Sequence, residues 1–343
     1  MRCTDNNRRK RMRARRRRQK RILRIMILCL LLLIGGAVYL FVSKFTGGKA
    51  LAAKYEAEHY NASIYKGKLF AEDLCVVSED IDSPSGPDTS SLTSAGLFDV
   101  EGANTQFAFN VHEELYPASV TKILTALLAI ENADLSEEVT TEIGAEDFAP
   151  DESVANIRRG DMLTLDALLY GLLLESGNDC AEAIAYHVAG SLEDFADMMN
   201  ERAAELMATN THFKNPSGLH DDDHYTTAYD VYLIFNECIK HEEFVKIIGT
   251  DSYTADITGA DGVKRSLVWK PSHFYAQQKA SLPSAADVVG GKTGTTKKAG
   301  NCLVLLNRTK EGRPFISVVM GAETKDILYA DMTKLINGIA VSE

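Results

Sequence analysis

The chain has 343 residues, 45% hydrophobic and 25% charged, a composition typical of a globular protein with a large buried core. Its net charge of −11 hides an asymmetry: residues 1–24 hold 13 Lys and Arg and one acidic residue, so the remainder carries 24 basic against 47 acidic side chains, a charge of −23. Because phosphate contacts need a basic face, this acidic body argues against a nucleic-acid-binding domain, and we expect no nucleic-acid partner.

An apolar run follows the basic tail of residues 1–24. Residues 25–42 contain no charge, and as a helix rising about 1.5 Å per residue they would cross most of a bilayer core of roughly 30 Å. Basic residues flank only the N-terminal side, which predicts a cytoplasmic tail, a single transmembrane anchor and an extracellular body. The alternative is a cleaved signal peptide and a secreted protein, since Ala50-Leu51-Ala52 offers a small-x-small cleavage site.

A stalk at residues 43–68 and a catalytic domain at 69–343 complete the predicted organisation. The domain begins with a short apolar strand, Leu74–Val77, a polar loop, and a β-hairpin of Ala95–Asp99 and Gln106–Asn110. Apolar patterns then predict helices, in chain order Val120–Ile130, Leu165–Leu174, Asp179–Ala189, Leu192–Met207 and Ala228–Lys240. Three strands and a last helix follow, at Val288–Thr295, Cys302–Leu306, Phe315–Met320 and Asp326–Ile339. Strands at both ends with helices between them predict an α+β domain.

No metal or other cofactor is expected. The four cysteines of the predicted domain, Cys75, Cys180, Cys238 and Cys302, are scattered without paired metal-ligand spacing, and we favour buried free thiols over disulfides. Residues 220–224 (HDDDH) resemble metal ligands by composition, but a solvated loop ahead of a helix capped by Thr227 is the favoured interpretation.

Three short blocks suggest the chemistry. In the first, Ser119-Val120-Thr121-Lys122, a spacing of three places the lysine on the serine's side of a helix, where burial would lower its pKa and make it a base. Ser63-Ile64-Tyr65-Lys66 has the same spacing, but no apolar helix follows it. The others are Ser176-Gly177-Asn178 and Lys292-Thr293-Gly294-Thr295. Each block alone could equally be an ordinary turn or a strand end. The three blocks in this order indicate an enzyme that forms an acyl intermediate on serine.

With these blocks, the sequence resembles the penicillin-binding serine peptidases, specifically the low-molecular-weight D-alanyl-D-alanine carboxypeptidases. The resemblance covers roughly residues 69–343 and is carried by Pro117–Glu131, Leu163–Ala185, Asn215–Leu219, His224–Asp230 and Gly291–Val304. It implies an α+β fold of the serine β-lactamase/DD-peptidase type. Such a fold has a five-stranded antiparallel sheet flanked by helices, a helical subdomain, and the active site between the two.

The resemblance also implies a role for each residue of the three blocks. Ser119 would be the nucleophile, Lys122 its base, Ser176 a proton relay to the leaving amine, Asn178 a ligand of the substrate amide, and Lys292, Thr293 and Thr295 the receptors of the terminal carboxylate. The backbone N–H groups of Ser119 and Thr295 would form the oxyanion hole. The implied substrate is a peptidoglycan stem peptide ending in D-Ala-D-Ala, with β-lactam antibiotics as inhibitors.

One departure from the family pattern and two alternative functions are open. Some family members hold the carboxylate with an arginine near the end of the last strand, where this chain reads Gly321-Ala322-Glu323-Thr324, so recognition is expected to rest on Lys292 and the threonines. A class A β-lactamase would carry aspartate in place of Gly177 and a deacylating E-x-x-L-N loop, neither of which the sequence contains. A catalytically inactive homologue that binds β-lactams or peptidoglycan remains a non-enzymatic alternative.

Overall fold

The computed structural model of the protein describes residues 73–339 and, N-terminal to them, only Met26 and Leu32. The predicted tail, most of the predicted anchor, the stalk and the second serine-lysine match at Ser63 therefore lie outside the described residues. Among the helices of the described residues, none combines the length and the apolar character that crossing a bilayer requires.

Nine strands form two antiparallel sheets in the described part of the chain. They are β1 (Ser94–Asp99), β2 (Asn104–Phe109), β3 (Glu138–Thr140), β4 (Met162–Thr164), β5 (Tyr253–Thr258), β6 (Lys264–Trp269), β7 (Asp287–Thr296), β8 (Gly300–Arg308) and β9 (Pro314–Ala322). The larger sheet has the order β2-β1-β9-β8-β7, so N-terminal and C-terminal strands share one sheet, as predicted. The smaller sheet has the order β3-β4-β5-β6. Strand β7, which carries Lys292, lies at an edge of the larger sheet.

Seven α-helices accompany the sheets in residues 73–339. They are α1 (Lys122–Asn132), α2 (Leu165–Leu174), α3 (Asn178–Ala189), α4 (Leu192–Glu205), α5 (Ala228–Cys238), α6 (Glu242–Ile248) and α7 (Lys325–Asn337). The predicted caps are present: Thr164 accepts a hydrogen bond from the N–H of Ala167 at the start of α2, and Thr227 accepts one from the N–H of Asp230 at the start of α5.

Both faces of the larger sheet are covered, and the alternation of side chains along β8 shows it. Val304 and Leu306 join the core that the sheet forms with α1 to α6, whereas Leu303 and Leu305 join the core beneath α7. All four side chains are fully buried, which explains why β8 reads as a continuous apolar run. The α+β fold with a five-stranded antiparallel sheet, predicted from the sequence, is confirmed.

Other expectations are corrected or extended. Leu74–Val77 is not a strand: the Cys75 N–H donates to Tyr232 Oη and the Cys75 carbonyl accepts from Tyr229 Oη, both at 2.9 Å, so helix α5 satisfies this backbone. The smaller sheet and α6 were not predicted. Two of the sheet's strands have only three residues, too short for a readable alternation.

The four cysteines of the described domain are buried free thiols, as expected.

Candidate active site

Ser119 lies in a tight turn ahead of a buried helix. The turn is a single 3-10 helix, Ala118–Thr121, that runs directly into α1. Ala118 has a φ of +48°, in the left-handed region that side chains other than glycine rarely adopt. Lys122 Nζ lies 3.1 Å from Ser119 Oγ, so the three-residue spacing brings the two groups within hydrogen-bonding distance.

The environment of Lys122 favours a neutral amine. Its side chain is fully buried, and Nζ donates to Asn178 Oδ1 at 2.7 Å and to the Ser217 carbonyl at 2.6 Å. Burial, and secondarily the positive charge of Lys292, hold the pKa of Lys122 well below its usual 10.5. A neutral amine has two N–H bonds and one lone pair. With both N–H bonds used, the lone pair is free to accept the Ser119 hydroxyl proton.

The second and third blocks meet through another buried lysine. Ser176 lies between α2 and α3 with a φ of +62°, and its Oγ accepts a hydrogen bond of 2.9 Å from Lys292 Nζ. Lys292 also donates to the Thr293 carbonyl at 2.8 Å. Its side chain is fully buried, and burial lowers the pKa of Lys292 to about 7. The two residues are 116 positions apart, so this contact depends on the tertiary fold.

These groups surround one cavity of about 160 Å³. Ser119, Ser176, Thr293 and Thr295 line it, and Lys122, Asn178 and Lys292 are bonded to or lie beside those residues. Strand β7 packs directly on the turn that carries Ser119: a Cβ on Gly294 would lie 2.7 Å from the Pro117 carbonyl oxygen and 3.0 Å from the Ser119 nitrogen. The structure thus brings all seven sequence-predicted site residues together.

Sequence reasoning missed several further residues that line the cavity, among them Ser272, Phe274 and Lys325. Ser272 and Phe274 follow β6, and Lys325 begins α7. Ser272 Oγ lies 3.0 Å from Thr293 Oγ1, and Lys325 Nζ lies 5.6 Å from the centre of the Phe274 ring. None belongs to a recognisable motif, so only the fold could reveal them.

The 220–224 loop differs in part from its expectation. Asp222 and Asp223 are exposed, as in a solvated loop, but His224 is only 2% exposed and contacts the turn of the first block. The sequence signal for His224 is its place in the stretch His224–Asp230, which carries part of the family resemblance.

Comparisons with known proteins identify one family. The family model for D-alanyl-D-alanine carboxypeptidase, peptidase family S11, matches residues 83–324. The D-alanyl-D-alanine carboxypeptidase DacF of Bacillus subtilis is 32% identical over 250 residues, which are 71% of this chain and 61% of that protein. The carboxypeptidase of Streptomyces sp. strain K15 is 32% identical over 64% of this chain and 77% of its own length.

Comparison with solved structures indicates the same family. The crystal structure of the Streptomyces K15 DD-transpeptidase matches with a TM-score of 0.66 at 28% identity, covering 77% of this chain and 98% of that one. Penicillin binding protein 6B from Escherichia coli matches with a TM-score of 0.64 at 27% identity, covering 77% and 81%. The chain therefore spans about three fifths of DacF and nearly all of the K15 structure. It belongs to the D-alanyl-D-alanine carboxypeptidase family of serine peptidases, as the sequence predicted.

Proposed function

We propose that this protein is a serine-type D-Ala-D-Ala carboxypeptidase that removes the terminal D-alanine from peptidoglycan stem peptides. The observation that carries the proposal is the buried Lys122 amine, whose lone pair is left for the Ser119 hydroxyl. A nucleophile with an adjacent neutral base is what acyl transfer requires. Family membership supplies the substrate class.

In the proposed reaction, Ser119 Oγ attacks the carbonyl carbon of the penultimate D-alanine and its proton moves to Lys122 Nζ. The resulting oxyanion accepts hydrogen bonds from the N–H groups of Ser119 and Thr295. The C–N bond then breaks, the Ser176 hydroxyl passes its proton to the leaving amine, and the proton held on Lys122 replaces the one that Ser176 gives up. D-alanine departs and leaves an ester on Ser119, which water hydrolyses to the shortened peptide and free Ser119.

The substrate is held by the remaining groups. Asn178 Oδ1 already accepts from Lys122, so its Nδ2 is oriented to donate to the carbonyl of the substrate amide. Lys292, Thr293 and Thr295 are proposed to receive the terminal carboxylate. Lys292 also donates to Ser176 Oγ, which leaves the proton of the Ser176 hydroxyl available for the proposed relay.

The function is tested with intact-protein mass spectrometry and a D-alanine release assay. Wild type incubated with penicillin should gain the mass of one penicillin, Ser119→Ala should gain none, and wild type should release D-alanine from a pentapeptide ending in D-Ala-D-Ala. An equal adduct on both proteins, or no release, would contradict the proposal. Rapid turnover of penicillin itself would favour a β-lactamase instead.

A second activity is favoured by one observation. The solved K15 structure is named a DD-transpeptidase. In that reaction an amine replaces water in attacking the Ser119 ester. Adding an amino-acid or peptide amine to the assay distinguishes the two, because a transpeptidase forms the new amide product at the expense of hydrolysis.

The location is proposed from the sequence. Residues 25–42 would anchor the protein in the cell membrane with a cytoplasmic N-terminus, so that the catalytic domain of residues 69–343 faces the cell wall. A substrate in the wall requires this topology or secretion.

A further inference from the structure

A buried histidine outside the catalytic cavity is hydrogen-bonded to the turn that carries the nucleophile. His224 Nε2 lies 2.9 Å from Thr121 Oγ1, and Thr121 Oγ1 donates to the Ala118 carbonyl oxygen at 2.8 Å. His224 is 2% exposed and Thr121 is 1% exposed. Two hydrogen bonds therefore connect the histidine to the peptide group between Ala118 and Ser119.

The direction of these bonds is fixed by their partners. His224 Nδ1 accepts from the Lys214 N–H at 3.2 Å, so the proton of the neutral ring is on Nε2. Nε2–H donates to Thr121 Oγ1, whose single proton is used by the Ala118 carbonyl. Burial lowers the pKa of His224 to about 4, so the ring keeps this form at neutral pH.

The same peptide group is held from a second side. Gly218, with a φ of +82°, packs so closely that a Cβ there would overlap the Ala118 carbonyl oxygen. The neighbouring Ser217 carbonyl accepts from Lys122 Nζ. The segment 214–224 thus contacts both the nucleophile's turn and the nucleophile's base.

We propose that His224 and Thr121 position the oxyanion hole by fixing the orientation of the Ala118–Ser119 peptide plane. In a planar trans peptide the C=O and N–H groups point in opposite directions, so holding the Ala118 carbonyl on the His224 side aims the Ser119 N–H away from it. The proposal rests on the proposed function, in which that N–H stabilises the oxyanion. It also explains how Ala118 keeps its unfavourable positive φ.

Matched variants test this positioning role. Thr121→Val keeps the shape of the side chain but removes both hydrogen bonds, whereas Thr121→Ser keeps the hydroxyl. We expect Thr121→Val to lower kcat and the penicillin acylation rate about 100-fold, which is the size of effect seen when a reacting group is displaced or an oxyanion donor is lost. KM should change by less than about threefold. Thr121→Ser should stay within about fivefold of wild type, a small effect beside that loss.

A second pair keeps the test decisive if Thr121→Val does not fold. His224→Gln can place an amide donor near the position of Nε2, whereas His224→Asn can only place an acceptor near Nδ1. The glutamine variant should retain more acylation than the asparagine variant at equal folded fraction, measured by circular dichroism. Equal rates for both members of each folded pair, or a change confined to KM, would overturn the proposal. Failure of wild type to be acylated would instead refute the proposed function.

Discussion

At the residue scale, the site is defined by two lysines with fully buried side chains. Folding favours the neutral amine of both, whereas water favours the charged ammonium form. Lys122 contacts Ser119 and Lys292 contacts Ser176, so each hydroxyl has its own amine. Desolvation disfavours the charged form of both amines. The activation proposed for the hydroxyls and a cost in stability would therefore have the same origin.

This cost should be visible as a pH-dependent stability. Below the pKa of about 7 in the folded protein, Lys292 is protonated in both states, and between about 7 and 10.5 only the unfolded chain binds the proton. The free energy of unfolding contributed by Lys292 thus rises with pH, by up to about 1.4 kcal/mol per unit. Compared with Lys292→Met, wild type should gain stability between pH 7 and 9.

Urea denaturation at several pH values measures this difference. Lys297→Met, at an exposed position just beyond the same strand, controls for the effect of methionine on this segment. A stability difference between wild type and Lys292→Met that stays constant from pH 7 to 9 would contradict the lowered pKa of Lys292 in the folded protein.

Lys325 is expected to affect substrate binding. It is an exposed cation that lines the same cavity as Thr295, in a chain without the arginine that some family members carry near the end of the last strand. We expect Lys325→Met to raise KM about three- to tenfold with little change in kcat, as for the loss of a partly screened ionic contact, and Lys325→Arg to preserve KM. A substrate with an amidated C-terminus supplies the control, because its KM should not respond to either substitution.

At the scale of elements, we expect the site to depend on how closely β7 packs on the turn that carries Ser119. A methyl group on Gly294 would meet backbone atoms of Pro117 and Ser119, which cannot rotate away. Gly294→Ala should therefore separate the strand from the turn and lower the acylation rate about 100-fold in a protein that still folds. Gly312→Asn, in the β8–β9 turn where nothing lies within 4 Å of a Cβ, should keep wild-type acylation. Similar rates for the two variants would show that this close packing is not needed.

The elements also show what the sequence could predict. Helices α1 and α2 could be predicted because apolar residues dominate both segments, and the Ser119–Lys122 contact follows from helical spacing alone. The contact of Ser176 with Lys292 could be expected only from family resemblance. The catalytic roles of these residues remain predictions.

What the sequence could not predict has physical causes. Cys75 looked like part of a strand because its neighbours are apolar, but tyrosine hydroxyls of α5 replace the strand's hydrogen bonds. Ser272 and Lys325 reach the cavity from a loop and a helix start that have no distinguishing pattern. His224 lies next to exposed aspartates, so composition alone suggested a solvated position.

At the scale of the whole molecule, Ala71–Glu343 form one compact unit by their internal contacts. Both hydrophobic clusters are built from residues between Cys75 and Ile336, with Leu74 and Ile339 packed at their margins. We expect residues 69–343 alone to fold with the melting temperature of the full chain and to be acylated by penicillin at the same rate. Differential scanning fluorimetry and mass spectrometry would compare the two proteins; aggregation of the shorter one would contradict the predicted boundary.

The last prediction concerns the N-terminal segment. If residues 25–42 are an uncleaved anchor, the full-length protein should stay with membranes after alkaline carbonate washing, and protease added to cells stripped of their wall should digest the catalytic domain. Leu31→Arg combined with Ile34→Arg should abolish membrane retention, because each charge at the centre of a span costs about 2.5 to 3.5 kcal/mol. A soluble exported protein whose N-terminus lies just after Ala52 would instead show that the segment is a cleaved signal peptide.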